Sequence, residues 1–193
     1  MSPTASVTAE AAQQADELVT QMIADGDLRA ALQVAYEERQ AWPDDLSAHR
    51  RYHRVLLLMP GQAATLVDHG RRFVDLLLRR DRPGEALRVF KACRVKDPAF
   101  HLERASGMLT LCRTQWRSGD AKATLALLAG FDRHYPGDPL IPQAYELAAR
   151  VLVQGLGRRD MVKPILRTLQ KRYPDSPEAR EVEWLMRDAP EPI

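Results

Sequence analysis

The chain has 193 residues, 45% of them hydrophobic, which is enough to bury a real core in one ordinary globular assembly. No uninterrupted apolar run exceeds five residues, as at Val55–Met59, which excludes a membrane-spanning helix and predicts no membrane insertion. The 28 basic and 26 acidic residues nearly cancel, so no global field draws the chain to nucleic acid or anionic lipid.

Apolar residues recur at helical spacing along the whole chain. Ala15, Leu18, Val19, Met22 and Ile23 predict a first helix that stops at Gly26. Leu28, Ala31, Leu32, Ala35 and Tyr36 predict a second, closed at Pro43. An additional short helix is expected over 46–58, ended by Pro60-Gly61. Leu66, Phe73, Val74 and Leu77 precede a break at Asp81, and Ala86, Leu87 and Phe90 follow it up to Pro98. Met108, Leu111, Cys112 and Trp116 precede Gly119, with Thr124, Leu125, Leu128 and Phe131 after it. Ala144, Ala148, Val151 and Leu152 precede Gly157, and Val162, Ile165, Leu166 and Leu169 lead to Pro174. Ser176-Pro177 reads as a cap and first helical position for a last helix with Ala179, Val182, Leu185 and Met186 inward. No segment alternates with period two.

The punctuation is itself periodic. Gly26, Asp81, Gly119 and Gly157 are each followed after seventeen residues by a proline, and Pro98, Pro136 and Pro174 stand 38 apart. Each unit is thus a helix, a tight turn, a second helix and a proline stop. Glycine supplies the left-handed residue that ends the first helix, and Asp81 takes the equivalent place. Asp27, Asp120 and Asp160 are expected to cap the second helices.

With the closing proline as the last consensus position, the units resemble tetratricopeptide repeats. Ala31 and Ala86 match the family's small residue early in the second helix, with Thr124 and Val162 weaker. Phe90, Leu128 and Leu166 match its bulky position, with Ala35 weak, and Leu18, Phe73, Leu111 and Ala149 the apolar position of the first helix. The small residue that normally follows is replaced by Val19, Val74, Cys112 and Arg150, so the repeats are divergent. The last two units, each ending Tyr-Pro, resemble repeats of bacterial cell-envelope assembly and division-coordinating proteins. The resemblance implies an all-α, right-handed superhelix of about ten helices with a concave groove. Its expected units span 10–43, 62–98, 99–136 and 137–174 within one domain over 10–187. The inserted helix covers 46–58 and a capping helix 177–187, with a flexible start (1–9) and a frayed tail (188–193).

Sites for chemistry are scarce. Cys93 and Cys112 lie 19 apart among apolar residues and read as buried reduced thiols. His49 and His53 share a helical face, but Arg50, Arg51 and Arg54 surround them and no third ligand is evident. His69, His101 and His134 look isolated. No phosphate loop, nucleophile elbow or paired carboxylates can be picked out, so no enzyme, metal or cofactor is expected.

Arginine is the unusual feature. Arg71, Asp75 and Arg79 fall in one stripe off the core face of their helix, and Arg113 and Arg117 hold the equivalent stripe in the next unit, with Trp116 at its core edge. Since first helices line the groove in the family, the resemblance implies a basic groove gripping an acidic partner protein or peptide. A solvated face balanced by Asp68, Asp75 and Glu85 is the competing account. The family's carboxylate clamp, with its Lys and Asn residues, is not matched. The expected function is a non-catalytic interaction scaffold or adaptor. A nucleic-acid-associated module and a helical enzyme or small-ligand domain stay open as alternatives. The start of the chain lacks a secretory signal, so the expected compartment is the cytoplasm, with a tethered or exported parent protein as the alternative. Self-association through an open edge is undecided.

Overall fold

A computed structural model of the chain describes residues 3–188. Every regular element among the described residues is helical. The fold is an all-α array of helix pairs. The chain divides into two compact units, with the boundary between His101 and Leu102.

The first unit holds α1 (Pro3–Ala24), α2 (Leu28–Ala41), α3 (Leu46–Leu58), α4 (Ala63–Arg79) and α5 (Pro83–Lys96). Helix α1 packs on α2 and α4 on α5, and α3 packs on α1, α2 and α4. Helix α1 begins at Pro3, seven residues before the boundary read from sequence. The tail 189–193 lies outside the described residues.

Turn chemistry follows the residues. Gly26 ends α1 at φ 79°, and at the equivalent position of the α4/α5 pair Asp81 adopts φ 53°, the sole non-glycine with positive φ among the described residues. Asp27 accepts a hydrogen bond from Ala30 N at 3.1 Å and so caps α2. Asp45 caps α3 in the same way through Ala48 N, at 2.7 Å.

The core of this unit is built from the apolar stripes. Leu66, Phe73, Val74 and Leu77 of α4 are buried against Ala86, Leu87 and Phe90 of α5. Leu18 departs from expectation: it is 48% exposed, while its neighbour Val19 is fully buried. The consensus match placed Leu18 inward, but α1 packs against α2 and α3 through the flank that carries Val19.

Helices α4 and α5 meet closely at Gly70. A Cβ there would stand 2.4 Å from Cys93 Sγ and 3.6 Å from the Phe100 ring. Gly70→Ala is therefore expected to destabilise the first unit by about 1–3 kcal/mol, despite alanine's better helix propensity. Urea titration checks this; a variant as stable as wild type would contradict the close crossing.

The second unit holds α6 (Ala105–Arg117), α7 (Ala121–Leu128), α8 (Phe131–His134), α9 (Ile141–Arg150), α10 (Lys163–Arg172) and α11 (Pro177–Asp188). The second helix of the α6/α7 pair is broken, because Ala129 leaves the helical region at ψ 123° and Gly130 is left-handed at φ 75°. Helix α9 runs on into a π-helical turn, Val151–Gly155. Asp120 caps α7 through Ala123 N at 2.9 Å, and Ser176 Oγ accepts from Ala179 N at 3.2 Å at the start of α11.

Asp160 does not cap α10. A 3-10 turn, Arg159–Val162, precedes that helix, and the Asp160 carboxylate instead pairs with Arg158 at 3.1 Å. Helix α11 packs on α9 and α10, where Ala179, Val182 and Leu185 join Leu152, Val162 and Leu169 in one buried cluster.

Candidate functional site

The arginine stripe of the first unit is partly self-neutralised. Arg79 pairs with Asp75 one turn earlier on α4, and Arg72 pairs with Asp68 at 3.2 Å. Arg71 is half-buried, with its guanidinium 5.6 Å from the centre of the Phe100 ring. Of the three stripe residues, then, Asp75 and Arg79 are brought together and Arg71 lies along an aromatic face. Glu85, also read as a balancing charge, binds Arg50 of α3 through both carboxylate oxygens, at 2.5 and 2.8 Å.

The second unit carries the other stripe on α6. Arg113 is exposed and donates from Nη2 to Gln143 Oε1 of α9 at 2.9 Å. Arg117 is exposed in the last turn. Trp116 is half-buried, and its ring lies against Gly155, where a Cβ would meet it at 2.8 Å. Trp116 thus packs α6 onto the π-helical turn rather than standing out as a platform.

Sequence reasoning missed two polar features of the first unit. One is a buried ion pair. The Arg51 side chain is 5% exposed and is held by Glu38, with Arg51 Nε at 2.7 Å from Glu38 Oε2. Arg51 Nη1 also donates to the Ala12 carbonyl at 3.1 Å, tying α3 to α1 as well as α2. A tract of arginines around two histidines reads as a solvated face, and nothing in it singles out Arg51.

The other is a cluster of three imidazoles. His49 and His53 of α3 do share a face, but it is a packed one, and His69 of α4 completes it. The His49 and His53 ring centres lie 5.2 and 5.8 Å from that of His69. Phe73 stacks on His69, and Tyr52 meets it edge-on at 4.8 Å. His49 Nε2 lies 2.9 Å from the Pro43 carbonyl, which fixes its proton on that nitrogen. Both ring nitrogens of His53 and of His69 lack a protein hydrogen-bond partner. Burial lowers all three, His53 to about 4 and His69 to about 3, so the cluster is neutral at pH 7. Among the described residues no group of three or more His, Cys, Asp or Glu is arranged to hold a metal ion. The signal for His69 was spacing: it lies one turn before Phe73, on the core side of α4.

Cys93 and Cys112 are free and buried, as expected, and burial pushes their thiols up to about 11 and about 12. They are poor nucleophiles at neutral pH. No helix among the described residues is long and apolar enough to cross a membrane.

No family model matches the chain, and no curated protein matches its sequence. Solved structures do resemble it in fold. YrrB, described as a tetratricopeptide repeat protein with an unusual peptide-binding site, is 13% identical, with 87% of this chain and 89% of that one covered at a TM-score of 0.45. PilF of Pseudomonas aeruginosa is 14% identical, covering 91% and 98% at a TM-score of 0.48. A thermophilic tetratricopeptide repeat protein of Thermus thermophilus is 17% identical, covering 91% and 98% at 0.40. The likeness is one of fold alone, and the helix pairs described above carry the fold class by themselves.

Proposed function

We propose that the chain is a non-catalytic protein-recognition module that binds an acidic segment of another protein. Arginines on the exposed flank of α6 make the contact in the second unit, and Arg71 of α4 is the first unit's own candidate. The observation that supports this reading most is the α6 stripe. Arg113 and Arg117 both present guanidinium groups on one exposed flank, and the nearest partner of Arg113 is a neutral amide, Gln143. A guanidinium held in place by a neutral acceptor keeps its charge for a carboxylate, which it binds through two parallel hydrogen bonds. On α4 the pairing of Arg79 with Asp75 leaves Arg71 as the stripe's contribution.

Affinity for an acidic partner is expected to fall about tenfold or more with Arg113→Glu, and less with Arg71→Glu, since Phe100 already engages that side chain. Titration calorimetry with the purified partner at two salt concentrations checks this. Equal affinity of both variants and wild type would remove the arginine stripes from the account.

A further inference from the structure

The break between α7 and α8 opens a pocket of about 210 Å³ within the second unit. Uninterrupted second helices, such as α5, bury a bulky residue and continue for another turn. After Leu128 the chain instead steps aside through Ala129 and Gly130, and the space is walled by Leu125, Leu128, Phe131, Ile141, Tyr145 and Ile165. These residues come from α7, α8, α9 and α10, so the pocket is a walled socket rather than a flat face.

Its size decides what class of ligand it takes. Pockets for cofactors and other whole small molecules run from about 300 Å³ upward, whereas an apolar cavity of about 150 Å³ already takes a benzene ring. A volume of 210 Å³ matches one ring-sized or leucine-sized group. The only charged side chain in the wall is Asp132, whose carboxylate accepts the Tyr145 hydroxyl at 2.9 Å and faces Arg172 at 3.7 Å.

One basic side chain stands beside the broken turn. The Arg133 guanidinium lies over Gly130, 3.3 Å from where a Cβ would stand. Arg172, on the same face of α10 as Ile165, is already opposed by Asp132, whereas Lys163 and Arg167 lie on the other face of that helix. We infer that this pocket receives a single phenylalanine or leucine side chain of a partner protein, flanked in the partner by acidic residues that face Arg133. The inference rests on the reading of the chain as a module for acidic protein segments, and it adds an apolar anchor on different helices.

The test uses the full chain and three capped heptapeptides at low ionic strength. One has a central phenylalanine between Glu and Asp residues, one has alanine in its place, and one keeps phenylalanine between Lys and Arg residues. The acidic phenylalanine peptide is expected to bind at least about tenfold more tightly than either of the others. It should shift the methyl resonances of Ile141 and Ile165. Ala148→Phe, which places a ring into the pocket from α9, should abolish that preference, and the methyl shifts provide a readout should this variant fail to fold. Equal binding of the phenylalanine and alanine peptides, both weakened by Arg113→Glu, would overturn the pocket and leave the acidic-partner reading standing. Equal binding of the acidic and basic phenylalanine peptides would overturn the flank chemistry and count against an acidic partner altogether. No binding by any peptide at millimolar concentration would overturn the pocket as a docking site.

Discussion

Lowering the pH from 7 to 5 is expected to remove about 3–4 kcal/mol from the stability of the first unit, through His53 and His69. An unfolded imidazole takes up its proton near 6.5, but the buried rings do so only near 4 and near 3. Between those values the unfolded chain holds more protons than the native one, so stability present above pH 6.5 is lost as pH falls. Each ring contributes about 2 kcal/mol over this interval.

The charges facing the cluster reinforce the direction. Arg39 of α2, whose guanidinium lies 5.0 Å from the Tyr52 ring centre, opposes protonation of His49 and His69. Asp44 and Asp45 favour a charged His49. The neutral phenol of Tyr52 closes the cluster from α3. Thermal melts from pH 7.5 to 4.5 measure the effect, and a double His53→Leu, His69→Leu variant should flatten the dependence. The same slope in that variant would assign acid sensitivity to other groups.

Phe90→Ala is expected to cost about 3–5 kcal/mol. The ring is 1% exposed on α5, faces the α4 stripe, and lies 5.3 Å from the Phe100 ring. Deleting it leaves a cavity between two helices that Gly70 already brings together, so collapse around the gap is limited. Leu18→Ala serves as the control. Leu18 belongs to the same apolar class by sequence yet is 48% exposed, so its loss should cost less than about 1 kcal/mol. Denaturant titration of both variants separates the true packing register from the consensus one; equal losses would contradict it.

That contrast shows how much of the fold was legible. The helix pairs were, because residues with local physical effects write them: the left-handed glycines, the Asp caps at 27 and 120, and the proline stops. The turn at Asp81 was legible too, since Asp81 holds the glycine's place in the seventeen-residue interval.

Features that depend on what lies across the helix were not. Leu18 has helical spacing, but spacing does not say which flank meets a neighbour. Asp160 sits at the right offset for a cap, but the 3-10 turn takes up the residues where the helix would have started. His69 joins His49 and His53 only because α4 crosses α3 there, and the pocket beside Gly130 exists only because four elements surround the break. Helical spacing puts Trp116 at the core edge of the α6 stripe, but it does not say what covers that edge: the π-helical turn brings Gly155 under its ring. Arg113 and Arg117 are where helical spacing placed them, on the exposed flank of α6.

The most direct measurement of the central claim is affinity capture from host lysate with wild type, Arg71→Glu and Arg113→Glu baits, each eluate treated with nuclease before mass spectrometry. A nuclease-resistant acidic protein that wild type retains and Arg113→Glu loses is expected, with the purified protein then binding wild type directly. Retention of nucleic acid alone, or equal recovery of the same protein by all three baits, would contradict it.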